Sequence, residues 1–213
     1  MRFKVKEIFY SIQGEGARSG RPAIFCRFSG CNLWSGQESS RKTAVCNFCD
    51  TDFNGVDGDN GGRFRSEEHL SSAIESIWKN TTGDNKHRYV IFTGGEPALQ
   101  INEVLVRLVK AKGFECAIET NGTLSLPKNL DWITVSPKTC DSLVVRCGNE
   151  LKLIFPQEKI APEKFQALNF KHFFIQPKYD KDYNKNLSKC LEFCLKHPKW
   201  KLSLQTQKYI GIS

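Results

Sequence analysis

Apolar positions along the chain follow two rhythms. Short runs rich in Val, Ile, Phe and Trp at residues 5–9, 23–28, 89–92, 115–119, 132–135, 151–155, 173–175 and 201–205 predict β-strands. Between them lie stretches with helical spacing. Ser66 is placed to cap a helix whose first turn carries Glu67 and Glu68. Leu70, Ala73, Ile74, Ile77 and Trp78 then mark its buried face. Ile101, Val104, Leu105, Leu108 and Val109 predict a second helix, with Gly113 at its C′ position. Leu187, Leu191, Cys194 and Leu195 predict a third. Strands alternating with helices indicate an α/β fold.

The polar residues have a regular place in this pattern. Thr93-Gly94-Gly95-Glu96, Glu119-Thr120-Asn121-Gly122, Ser136-Pro137-Lys138 and Gln176-Pro177-Lys178 each follow a predicted strand. Barrel-like α/β folds build their sites from the C-terminal ends of the strands. At 213 residues the chain is shorter than the roughly 250 of a full eightfold barrel. The expectation is therefore a partial (β/α) barrel, one domain over 1–213, with an extended loop at about 31–49.

Charge and composition narrow the class. Lys plus Arg number 31 against 23 Asp plus Glu, a net +8 that suits an acidic partner or an anionic substrate. The basic residues are scattered and are not interleaved with aromatics, so direct nucleic-acid binding is not expected. No apolar run approaches the roughly 20 residues of a membrane span. The opening MRFKVKEIFYSIQGEG lacks a signal-peptide core. A cytoplasmic location is expected, and there nine cysteines point to metal before disulfides.

Cys31, Cys46 and Cys49 form C-x14-C-x2-C. Three thiolates can hold an iron–sulfur cluster with one iron left open. Adding Cys26 gives C-x4-C-x14-C-x2-C, a zinc framework; Cys26 in Ala-Ile-Phe-Cys-Arg-Phe reads equally as a core residue. Phe48 can pack a flat ring beside the metal. In Thr93-Gly94-Gly95-Glu96-Pro97 the glycines permit close approach of a ligand, and Glu96 offers a carboxylate to an ammonium group. Arg27, on a strand among apolar neighbours, requires an anion, either a protein carboxylate or a substrate's.

Taken together, these segments resemble those of radical S-adenosylmethionine enzymes, and among them the 7-carboxy-7-deazaguanine synthases. The resemblance runs through Phe9-Tyr10-Ser11-Ile12-Gln13-Gly14-Glu15-Gly16, Phe25-Cys26-Arg27-Phe28-Ser29-Gly30-Cys31-Asn32-Leu33, Cys49-Asp50-Thr51-Asp52, the Gly-Gly-Glu-Pro segment, Ile118-Glu119-Thr120-Asn121-Gly122-Thr123, Val135-Ser136-Pro137-Lys138 and Ser203-Leu204-Gln205-Thr206-Gln207-Lys208. Most of the superfamily has C-x3-C-x2-C; some synthases share the longer first gap seen here.

The resemblance implies a role for each segment. Cys31, Cys46 and Cys49 would hold a 4Fe-4S cluster whose open iron chelates S-adenosylmethionine, the source of a 5′-deoxyadenosyl radical. Phe48, Cys49, Asp50, Gly94, Gly95, Glu96, Ser136, Pro137, Lys138, Gln176 and Pro177 would contact that cofactor. Ile12, Gln13, Gly14, Glu15, Arg27, Thr93 and the terminal Ser213 would bind 6-carboxy-5,6,7,8-tetrahydropterin, with Mg2+ at Thr51. The reaction implied is ring contraction to 7-carboxy-7-deazaguanine with loss of ammonia, a step of queuosine biosynthesis. A homodimer and an acidic electron donor such as flavodoxin are the implied partners.

The family usually carries a histidine in its terminal Gln-Thr segment, where this chain has Gln207. Glutamine does not titrate near pH 7, so Glu119 becomes the candidate for acid–base work. Two other readings stand beside this one. A glycyl-radical activating enzyme would need a protein-docking groove in place of a pterin pocket. A zinc-stabilised binding module would use the +8 charge. Trp34, set among polar residues of the long cysteine loop, is a candidate lid or partner contact.

Overall fold

The computed structural model describes residues 2–158 and 160–212. Nine strands are found there: β1 (Phe3–Ile12), β2 (Pro22–Phe28), β3 (Gly62–Phe64), β4 (Tyr89–Gly94), β5 (Glu115–Thr120), β6 (Trp132–Val135), β7 (Cys147–Phe155), β8 (Asn169–Pro177) and β9 (Trp200–Leu202). They make one sheet in the order β3-β1-β2-β4-β5-β6-β7-β8-β9. From β2 through β9 neighbours run parallel, while β1 is antiparallel to both β2 and β3. The sheet ends in free edges at β3 and β9, so the barrel is partial.

Strand alternation sorts the side chains. One face of the sheet turns Ile8, Ile24, Cys26, Phe28, Val90, Phe92, Cys116 and Ile118 into a buried core shared with α1 (Glu67–Thr81) and α2 (Glu103–Ala111). Leu151, Leu153, Phe173 and Ile175 continue that face in a second core closed by α3 (Tyr183–Lys196). The opposite face carries Arg27, Thr93, Glu119, Lys152 and Gln176, which surround a cavity.

The helices start and stop for local reasons. Ser66 Oγ accepts the His69 amide at 3.2 Å and caps α1. Leu70, Ile74 and Trp78 are buried from it, each contributing about 1.5–3 kcal/mol by leaving water. Gly113, at φ 84°, ends α2: its amide reaches Lys110 O at 2.8 Å and the Phe114 amide reaches Val109 O at 3.4 Å, the paired bonds of a Schellman stop.

Several expectations are corrected. Ile101 precedes α2 and Val104 is exposed, so the buried stripe of that helix is Leu105, Val106 and Val109. On α3 the buried face is Asn186 and Cys190 with Phe193 and Cys194 beside it, and Leu191 and Leu195 stand in solvent. Phe193 takes the space against Phe155 and Trp200, ring centroids 5.6 and 6.0 Å away, and so fixes the rotation of the helix. Residues 201–205 are strand only as far as Leu202, and α4 (Thr206–Ile210) follows. Trp34 is neither lid nor contact surface: it is buried edge-on against Phe53, with the Arg41 guanidinium 4.0 Å over its ring.

Candidate active site

The cavity encloses about 500 Å³ at the C-terminal ends of the parallel strands. Ile12, Gln13, Gly14, Glu15, Arg27 and Thr93 line one side. Phe48, Cys49, Asp50, Thr51, Gly94 and Gly95 line another. Ser136, Lys138, Gln176, Pro177 and Glu119 complete the predicted residues in its wall. Cys46 joins them, whereas Cys31, Glu96 and Pro137 do not reach the lining. Ser213 lies outside the described residues.

A single hydrogen-bonded junction ties the cysteine segment to the strand ends. Gly95 donates to Phe28 O at 3.2 Å and Glu96 donates to Gly30 O at 2.9 Å. A Cβ on Gly95 would stand 2.1 Å from Gly30 O and 2.9 Å from Cys31 Cβ, so only glycine lets β4 dock Cys31. Asn32 accepts from Asn121 Nδ2 at 2.9 Å and donates to Thr123 Oγ1 at 2.8 Å. Glu96 is wholly buried, and its carboxylate accepts Ala98 N, Thr120 Oγ1 and Asn121 N at 2.7–2.9 Å. Burial raises its pKa. Glu96 thus clamps β4 to β5 from just behind the cavity lining.

The long gap between Cys31 and Cys46 is ordered by its own packing. Trp34 anchors it, and Val45 and Cys46 amides return to Leu33 O at 3.1 and 3.4 Å. Arg41 donates through Nη1 to Asn47 O at 3.2 Å and Cys49 O at 3.0 Å, holding the chain that carries two cysteines. The Cys46 thiol hydrogen-bonds Cys49, which with Lys138 nearby lowers the Cys49 pKa and raises that of Cys46, so the pair shares one proton. The thiolate is the metal-binding form.

A tetrahedral zinc site does not fit. Cys26 points to the other face of β2, into the core with Ile24 and Phe28. Among the described residues no three His, Cys, Asp or Glu side chains converge on a single ion position. Three cysteines without a fourth match a multi-iron cluster that leaves one iron open.

Opposite the cysteines the wall is charged. A bulge in β1 between Val5 and Glu7 sets Glu7 directly across from Arg27, and Glu7 Oε1 accepts Arg27 Nε at 2.7 Å. Glu119 accepts Gln13 Nε2 at 2.7 Å and Lys152 Nζ at 3.2 Å. Lys152 also pairs with Glu15, whose pKa is lowered to about 2 by that ammonium and by Gln207 and Gln205, against the cost of burial. Asp50 pairs with Lys208 of α4. Glu7, Lys152 and Lys208 were not among the predicted site residues. The alternation Glu150-Leu151-Lys152-Leu153 was the available signal for Lys152, since it places two charged residues on one face of a strand.

No family model matches the chain. A 7-carboxy-7-deazaguanine synthase of Caulobacter vibrioides is 51% identical over 212 residues, covering all of both chains. That of Bordetella pertussis is 53% identical over the same span, again covering both in full. Among solved structures, the crystal structure of QueE from Escherichia coli superposes with a TM-score of 0.70 at 25% identity, over 96% of this chain and 94% of that one. Full-length identity above one half, with a matching partial barrel, establishes that this chain belongs to the 7-carboxy-7-deazaguanine synthase family.

Proposed function

We propose that the protein converts 6-carboxy-5,6,7,8-tetrahydropterin to 7-carboxy-7-deazaguanine with release of ammonia, by radical ring contraction. The observation that carries this reading is the convergence of motifs spread over the whole chain on one cavity, with the cysteine segment on one side and an Arg, Gln and Glu set on the other. Cys31, Cys46 and Cys49 would hold a 4Fe-4S cluster, which supplies reductive cleavage of bound S-adenosylmethionine. Lys138, hydrogen-bonded to Ser136 Oγ at 2.9 Å and 5.6 Å from the Phe48 ring centroid, gives the cofactor side of the cavity a cation and an aromatic face. Thr51 supplies a hard oxygen for Mg2+.

On the substrate side, Arg27 offers a guanidinium to the carboxylate. Its pair with Glu7 runs through Nε, which leaves the terminal nitrogens for a ligand anion. Glu15 and Glu119 present acceptors to the amino and ring N–H groups of a pterin. Glu119, the carboxylate shared by Gln13 and Lys152, is placed to hold or move a proton at its oxygens.

Anaerobic reconstitution with iron and sulfide, followed by product analysis, tests the reading. About four irons per chain and formation of the deazaguanine acid with S-adenosylmethionine regenerated are expected. A protein that binds zinc alone would overturn it, and one 5′-deoxyadenosine released per product would overturn the catalytic use of the cofactor.

A further inference from the structure

Two carboxylates and one ammonium share the floor of the cavity, and a third carboxylate lies beneath them. Lys152 enters from β7 with its side chain 4% exposed and donates to Glu15 and to Glu119 Oε2 at 3.2 Å. The second oxygen of Glu15 accepts Gln205 Nε2 and Gln207 Nε2, each at 3.1 Å. The second oxygen of Glu119 accepts Gln13 Nε2 at 2.7 Å. Glu150, two positions before Lys152 on the same strand face, is buried and accepts the Ala17 amide at 3.0 Å. Beneath the main cavity a small one touches Glu15, Glu119 and Glu150, and Arg18 and Tyr89 are the other titratable groups around it.

If every carboxyl is ionised, Lys152 faces three anions, since Arg18 beside them is already paired with Glu115. Lys152 gives its charged hydrogen bonds to Glu15 and Glu119, which favours their carboxylate forms. Glu150 receives none from it, and burial pushes its pKa up to about 7. Of the three carboxyls Glu150 therefore holds a proton most readily, and the two that face the main cavity and take the ammonium's hydrogen bonds are acceptors.

We infer that Lys152 is a positioning residue: it fixes Glu15 and Glu119 as paired hydrogen-bond acceptors, so that the pocket selects a ligand edge presenting N–H donors. The inference rests on the pterin reading of the cavity. Each acceptor is held at both oxygens, by Lys152 on one side and by glutamine amides on the other. Without the ammonium, two neighbouring carboxylates compete for a proton. A carboxyl that gains the proton becomes a donor and opposes the N–H it should accept.

Lys152→Met keeps side-chain length and removes the charge. In the reconstituted holoenzyme with S-adenosylmethionine bound, the variant should bind 6-carboxytetrahydropterin about ten- to a hundredfold more weakly than wild type at pH 6. The ratio should narrow by pH 8, as the shared proton leaves. Relative to wild type, the Tm of the variant should fall over the same pH rise. A carboxyl whose folded pKa is raised loses stability as pH climbs through that value. Lys152→Met/Glu119→Gln should recover the lost Tm, because one of the two repelling carboxylates is gone. Unchanged affinity, a pH-independent affinity ratio, or no recovery in the double variant would overturn the inference. Failure of wild type itself to bind the pterin would instead overturn the substrate reading, and the two Tm measurements would still decide the role of Lys152.

Discussion

Replacing Arg27 separates a binding arginine from a structural one. Its ion pair with Glu7 is partly open to solvent, the two side chains being 19% and 27% exposed. Exposed pairs of this kind contribute about 0–1 kcal/mol to stability. Arg27→Gln keeps an N–H donor for Glu7 and leaves Glu7 hydrated, so the Tm should drop by no more than about 2–4 °C. Affinity should respond differently. A charge-assisted hydrogen bond from a guanidinium to a ligand carboxylate contributes about 1.5–3 kcal/mol. Its loss raises Kd about ten- to a hundredfold. Calorimetric titration of cluster-loaded enzyme with 6-carboxytetrahydropterin, beside thermal denaturation of the same preparation, reads both quantities. The strand position supports the larger effect on binding: Arg27 and Thr93 are paired across β2 and β4, and both line the cavity. Unchanged affinity in folded, cluster-loaded Arg27→Gln would refute the assignment.

The long cysteine loop and the surface charge each give a further expectation. Arg41→Met frees the carbonyls of Asn47 and Cys49, so iron retained per chain after reconstitution and desalting should fall while the Tm of the apo-protein changes by only a few degrees; equal retention would remove Arg41 from any role in holding the cluster segment. Lys6, Lys138, Lys178 and Lys208 line the mouth of the cavity on a chain of net charge +8, which favours encounter with an acidic protein donor. Exposed charges are screened within about 8 Å at physiological salt. Turnover should therefore fall with added salt when the electron donor is an acidic protein and stay level with a small chemical reductant, and equal salt dependence for both would discard docking.

What the sequence made legible is what local rules determine. Ser66 and Gly113 marked helix ends because capping is a matter of a few neighbouring residues. The post-strand segments pointed to one place because parallel strands deliver their C-terminal ends to the same side of a sheet. Side-chain destiny was harder to read. Glu96 is adjacent to the cavity by sequence, yet it is three donors from β5 and its own turn that fix its carboxylate. Leu191 and Leu195 carry the helical spacing of a core face, but the rotation of α3 follows Phe193, whose fit against Trp200 depends on residues that meet only in the fold. Lys152 reads as a strand's solvent-facing charge. It becomes interior only because Glu15, from the other end of the sheet, comes to meet it.

That meeting depends on α4. The segment after β9 reaches back to the turn that follows β1. Thr206 N donates to Gly14 O at 3.0 Å, Gln205 and Gln207 bind Glu15, and Lys208 pairs with Asp50 beside Cys49 while lying 3.6 Å from the Tyr179 ring centroid. Five residues are too few for a helix to stand alone, so α4 exists because these contacts hold it. Gly14 has to lack a side chain, since a Cβ there would fall 2.8 Å from the Gln207 backbone nitrogen. Gln207 donates to Glu15 as a histidine at that position could, and it does no proton transfer because an amide does not titrate. Its amide joins Lys152 and Gln13 in holding the two cavity carboxylates as hydrogen-bond acceptors.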